Sequence, residues 1–157
     1  MSATATPSSR SVSVSTASPE AIEVALHSAR VVRPGTDVTL AAYGPTVTTA
    51  LAAAEAAAAE GHSIEVVDLR SVSPIDFDTL TASVQRTGRL VVAHEAPVFF
   101  GAGAEIAARI TERAFYALEA PVLRVGGFHA PYPPANIEDN SGSHGQSRIV
   151  NLRAEAH

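Results

Sequence analysis

His94 and Glu95, with Gly101, Gly103 and Glu105 a few residues on, come nearest to a reactive centre in type and spacing. An imidazole beside a carboxylate is raw material for general acid–base chemistry, the carboxylate orienting the ring and the ring moving the proton. That chemistry needs both groups on one face, and in an extended segment neighbouring side chains point to opposite faces. The pair forms a dyad only if the chain turns sharply between the two. Three roles stay open for His94: hydrogen bonds that fix a loop, contacts with another chain, or a place beside an active site that other chains complete. Gly101-Ala102-Gly103 heads a predicted helix, and the first N–H groups of a helix attract anions. Glu105 has the wrong sign for a phosphate, however. The glycines are explained by the turn they permit and Glu105 by the helix dipole.

The other candidates carry less chemistry. Asp68 and Arg70 follow a predicted strand and are expected to tie down the loop above it, or to reach a partner subunit. Asp76 and Asp78 suit the first turn of a helix. His27, His62, His129, His144 and His157 show no paired spacing of the kind a zinc site uses. No serine sits in a Gly-x-Ser-x-Gly elbow. The chain has no cysteine, which removes disulfides, thiolate nucleophiles and cysteine metal sites together. All 11 basic residues are arginine, so Schiff-base chemistry and a P-loop lysine are also absent. We expect no catalytic, cofactor-binding or metal-ligating residue in this chain.

Phe99 and Phe100 point elsewhere. Two adjacent aromatics in a loop do not easily share one core, so at least one is expected at the surface beside the glycines, as an interface anchor; core packing stays open as the alternative. The expected partner-facing set is His94, Glu95, Pro97, Phe99, Phe100, Gly101, Gly103 and Glu105. The stiff Pro131–Pro134 segment suits a chain held against a surface.

Stepping along the chain shows what must position these residues. Val24 to Arg33 reads as a strand ending at the turn dipeptide Pro34-Gly35. Asp37 to Tyr43 is a second strand, and the tight turn between them predicts an antiparallel pair. Thr46 to Glu60 is an alanine-rich helix closed by Gly61. Ser63 to Leu69 is a strand, and Ser73 as N-cap with Pro74 behind it opens a helix to about Arg86. Arg89 to Ala93 is a near-continuous apolar strand of the kind buried on both faces. Ala102 to Leu118 is a long helix, and Val122 to Val125 a last strand. Strands alternating with helices at this spacing predict a three-layer α/β/α domain on a mixed five-stranded sheet, mostly parallel with one antiparallel strand.

The 157 residues suit one domain. Residues 1–20, rich in Ser, Thr, Ala and Pro, read as a disordered tail. They do not resemble the end of a preceding domain, as a piece cut from a longer subunit would show. The domain is placed at residues 21–138. Residues 139–157 read as a Gly/Ser-rich linker with a short helix over Arg148 to Ala156. A net charge of −5 without a basic stripe disfavours nucleic acid. Neither a membrane span nor a signal peptide is visible, so a cytoplasmic location is expected.

Five segments in order, Arg30 to Leu40, Glu65 to Asp76, Thr87 to Ile110, Ala120 to Gly127 and Pro131 to Pro134, make residues 22–138 resemble a known family. It is the C-terminal domain of the beta subunit of thiamine-diphosphate-dependent 2-oxo acid dehydrogenases. The form His94-Glu95-Ala96-Pro97 looks most like the branched-chain members, with transketolase a more distant relative. The resemblance implies a transketolase C-terminal fold and a role in scaffold and interface. Thiamine diphosphate and magnesium would be held by alpha-like and pyrimidine-domain partner subunits, not by this chain alone, and self-association is expected. On that basis the chain is a separately encoded component of a split thiamine-dependent enzyme acting on 2-oxo acids, competent only when assembled. The alternative is a free-standing, non-catalytic binding or regulatory module on the same fold. The departures are Phe100 where the family usually has glycine, His27-Ser28 where Gly-Lys is common, His129 in place of an acidic residue, and the apolar-free stretch Asp139 to Ser147. The last puts a family-like docking surface for an acyltransferase in doubt.

Overall fold

The computed structural model describes residues 27–127. In chain order these form strands β1 (Arg30–Arg33) and β2 (Val38–Ala42), helix α1 (Thr46–Ala58), β3 (Ile64–Asp68), α2 (Phe77–Thr87), β4 (Leu90–Pro97), α3 (Ala102–Ala114) and β5 (Leu123–Gly127). One sheet in the order β1-β3-β2-β4-β5 carries them, with β2, β3, β4 and β5 parallel and β1 antiparallel to β3. This is the mixed five-stranded sheet that the alternation of patterns predicts. No described helix is long and apolar enough to cross a membrane.

The period-2 geometry of the strands divides the core. Leu40, Ala42, Val66 and Ala93 turn to one face, where Ala50 and Ala54 of α1 cover them. Ala41, Val67 and Val92 turn to the other, under Leu80 and Val84 of α2 and Ile106 and Ile110 of α3. Helices on both faces explain why the central strands are apolar on both sides. The α1 contact is made of alanines, which let the helix approach the sheet closely. The α2 and α3 contact is made of larger aliphatic residues.

One expected pairing is corrected. β1 is antiparallel, but its partner is β3, with Val31 opposite Val67, and not β2. The edges of β2 are taken by β3 and β4 in parallel register. The chain between β1 and β2 passes so close to the start of β3 that a side chain at Gly35 would strike the Ile64 and Glu65 backbone. Asp37 then anchors the crossing, its carboxylate accepting from the Ser63 N–H at 2.7 Å. The Pro-Gly step thus turns the chain over a neighbouring strand.

Helix boundaries shift for local reasons. α2 starts at Phe77, with Asp76 rather than Ser73 as its cap, because the Asp76 carboxylate accepts from both the backbone and the hydroxyl of Thr79. α3 ends at Ala114 and tightens into a 3-10 turn over Phe115–Ala117. α1 ends at Ala58 and the chain leaves through Gly61 at φ +91°, the left-handed conformation glycine permits. Of the first predicted strand only Arg30–Arg33 is extended; residues 24–26 lie outside the described region, as do residues 1–23 and 128–157.

Topology fixes where chemistry or contact can gather. The chain leaves β2 for α1 on one face and leaves the adjacent β4 for α3 on the other. A sheet of this kind has its crevice outside the carboxyl ends of the two strands whose connections part. His94 and Glu95 stand at that end of β4.

Candidate functional site

β4 runs on past its apolar part, so that His94 and Glu95 lie within the strand and not in the loop beyond it. Alternation separates them: His94 is 2% exposed, on the α3 side, while Glu95 faces outward. No dyad forms. β4 then bulges against β5, for Ala93 pairs with Val125 but the next pair is Pro97 with Gly127. Three residues of β4 thus stand opposite Gly126 alone, which is how a bulge re-aims side chains at a sheet's rim.

The His94 ring fills a space made by glycines. A Cβ added to Gly101 would stand 2.7 Å from ring atom Cε1, one on Gly103 2.6 Å from Nε2, and one on Gly126 3.0 Å from Cε1. The turn does not account for Gly101 and Gly103: its left-handed residue is Phe100, at φ +55°, and Gly101 has an ordinary extended backbone. Gly103 meets the ring first, while Gly101 and Gly126 also pass close to the Pro97 and Ala96 carbonyls. Gly126 and Tyr43, which stacks on the ring at 6.1 Å and 24°, escaped the sequence reading. A glycine inside a strand is a signal of close approach and could have pointed to Gly126.

The ring's tautomer follows from its one hydrogen bond. Nδ1 lies 2.8 Å from the Ala96 carbonyl, which can only accept, so Nδ1 carries the proton. Nε2 is buried and has no hydrogen-bond partner among the described residues. Burial, and then the positive charge of Arg124, push the His94 pKa below the ordinary histidine value, against the opposing effect of the Ala96 carbonyl. The Tyr43 hydroxyl is pushed up by burial and by the Glu95 carboxylate.

The loop above is apolar and outward. Phe99 is 61% and Phe100 91% exposed, their rings meeting edge to face at 4.7 Å. Both aromatics are therefore at the surface, where at least one was expected. Val98 donates its N–H to Gly127, and Arg124 reaches the Val98 carbonyl, so the loop is pinned to the end of β5. Glu105, in the first turn of α3, pairs with Arg109 at 2.9 Å and lies on the helix exterior. Asp68 accepts from the Arg70 N–H at 2.9 Å, the loop-tying contact expected of it. Asp78 pairs with Arg113 at 2.8 Å.

Comparison with known proteins matches residues 27–147 to the family "Transketolase, C-terminal domain". The chain belongs to the transketolase C-terminal domain family. Within it, the chain is 59% identical over 113 residues to the pyruvate dehydrogenase E1 component subunit beta of Leifsonia xyli subsp. xyli, covering 72% of this chain and 34% of the relative. It is 59% identical over 111 residues to the 3-methyl-2-oxobutanoate dehydrogenase subunit beta of Mycobacterium tuberculosis, covering 70% and 32%. The chain thus spans about a third of the length of these relatives. A solved structure described as "Split gene transketolase, inactive beta4 tetramer" superposes with a TM-score of 0.65 at 30% identity, over 82% of this chain and 43% of that one.

The transketolase-like fold and the resemblance to 2-oxo acid dehydrogenase beta subunits are therefore both secured. Thiamine diphosphate, the cofactor that resemblance implies for the assembled enzyme, does not fit the described residues. The glycine-lined space at the head of α3 is filled by the His94 ring, which leaves no room there for a diphosphate. Among the described residues no group of three or more His, Asp or Glu could hold a metal ion.

Proposed function

We propose that this domain is the scaffold and assembly part of a thiamine-diphosphate-dependent enzyme acting on 2-oxo acids. It meets alpha-like and pyrimidine-domain subunits, which hold thiamine diphosphate and magnesium, through the carboxyl end of its sheet. The observation that carries this reading is Phe100. A bulky side chain sits in left-handed backbone, which costs about 1–2 kcal/mol, and buries almost nothing among the described residues. An exposed aromatic in a conformation that disfavours it gains its return from contact with another surface. Phe99 meets its ring edge to face; Pro97, Glu95 and Glu105 belong to the same proposed contact set, and His94 packs against Gly101 and Gly103 at the loop's end. The dehydrogenase beta subunits among the relatives support the substrate class.

Reconstitution tests the proposal. The chain is mixed with alpha-like and pyrimidine-domain subunits, thiamine diphosphate and magnesium, and assayed on pyruvate and on branched-chain 2-oxo acids. Activity is expected from the complete mixture and from no component alone. Should the chain stay monomeric in the presence of all of these, the free-standing binding module becomes the better account.

A further inference from the structure

The buried His94 ring does more than fill space, because it is the joint on which four pieces of the site close. It touches Gly101 and Gly103 at the head of α3, Gly126 on β5 and Tyr43 at the end of β2, and it holds the β4 bulge through Ala96. We propose that His94 is a proton-operated latch: neutral, it locks the loop that carries Phe99 and Phe100; protonated, it leaves its glycine cradle and frees that loop.

The geometry makes the two states unequal. Nδ1 already spends its proton on the Ala96 carbonyl, so the second proton must go on Nε2. Nε2 is buried against Gly103, and among the described residues it has no hydrogen-bond partner. Gly103 belongs to the first turn of α3, whose unpaired N–H groups give that end a partial positive charge. The groups facing the ring offer no relief. Arg124 on β5 is a like charge, and Tyr43 on β2 is neutral at ordinary pH. Glu95 of β4 lies on the opposite face, and Glu105 of α3 is turned outward to Arg109. A buried donor without an acceptor is among the costlier defects of an interior. An imidazolium reaches water only by swinging out, and the emptied space releases the bulge and the first turn of α3 with it. The latch does not depend on the proposed function; it would stand even if the assembly partners were other proteins.

Hydrogen exchange on the 157-residue chain tests it. Corrected for intrinsic rates, amides of residues 96–105 should lose at least about tenfold in protection between about pH 7.5 and pH 5, while those of β2 and β3 hold theirs. In His94→Asn the side-chain amide can still donate to Ala96 but takes no proton, so protection of the loop should be the same at both values. If that variant is too loose to read, nitrogen NMR of the wild-type ring decides. The ring should be the Nδ1–H tautomer at neutral pH, and its protonation midpoint should coincide with the loss of protection. Loop protection that is flat with pH, or that falls while the ring is still neutral, would overturn the latch. So would a ring that takes its proton with the loop still protected.

Discussion

Glu65 lies buried beneath α2, and Arg86 reaches its carboxylate at 2.5 Å while Ser83 donates to the same oxygen. Thr39, one strand over, meets both Ser83 and Thr87 at 2.7 Å. A chain of polar side chains thus fixes α2 against β2 and β3 inside an otherwise apolar layer. Burial pushes the Glu65 carboxyl up, but the hydrogen bonds from Arg86 and Ser83 prevail and hold it below its ordinary 4.5. The folded value lies below the unfolded one, so its contribution is whole above about pH 4.5 and is lost as pH falls through the folded value. Arg86→Ala should cost about 1–2 kcal/mol at neutral pH, less than a fully buried pair because the guanidinium is half in water. In Glu65→Gln the acid-side loss of stability should shrink. Urea midpoints from neutral to acid pH read both effects.

Gly103 exists for His94. Alanine there would improve helix propensity by about 1 kcal/mol, but its Cβ would stand 2.6 Å from Nε2 of the buried His94 ring. We expect Gly103→Ala to destabilise the chain by about 1–3 kcal/mol, the usual range for overpacking. Adding His94→Ala should remove the clash and restore the propensity gain, so that the double variant is more stable than the two single changes sum to. A denaturant cycle that came out additive would mean that the ring and the glycine do not meet.

Phe100→Gly separates folding from assembly. Glycine relieves the left-handed strain at φ +55° but adds freedom to the unfolded chain, and these effects oppose each other within about 1 kcal/mol. With 91% of the side chain exposed, little packing is lost. Thermal stability of the chain should therefore hold or rise slightly while association with partner subunits weakens at least about tenfold, as for removal of an interface anchor. Titration calorimetry against the partner mixture, beside a melting curve of the chain alone, gives both readings.

These relationships mark where sequence was informative. The alternation of elements, the antiparallel strand, the opposite facing of His94 and Glu95 and the exposure of at least one of Phe99 and Phe100 all follow from local periodicity and composition, which act over a few residues. The partner of β1 did not, because Pro34-Gly35 permits either a hairpin or a crossing and the choice is made by contacts with Ser63, Ile64 and Glu65 far along the chain. The cap of α2 went to Asp76 through its bonds from Thr79, and the same carboxylate reaches back to Ala29, a distant partner that no local pattern shows. The glycine cradle was half legible. Its members Gly101 and Gly103 stood out, but only the fold brings Gly126 and Tyr43 to the same ring.

Asp76 offers the last test, because one carboxylate joins two elements. One oxygen accepts from the Thr79 N–H at 3.0 Å and caps α2; the other accepts from the Thr79 hydroxyl at 2.7 Å and from the Ala29 N–H at 3.0 Å, just before β1. Burial pushes the carboxyl up, but the bonds from Thr79 and Ala29 outweigh it and hold the group below its ordinary 3.8. Its contribution is accordingly present above that value and is lost only as pH falls below it. Asp76→Ala should cost about 1–2 kcal/mol as a lost cap and should also raise exchange at Ala29 and through β1, which an ordinary cap would leave untouched. Asp76→Asn keeps one acceptor oxygen and should fall between the two. If exchange in β1 did not change in Asp76→Ala, the carboxylate would be a cap for α2 and nothing more.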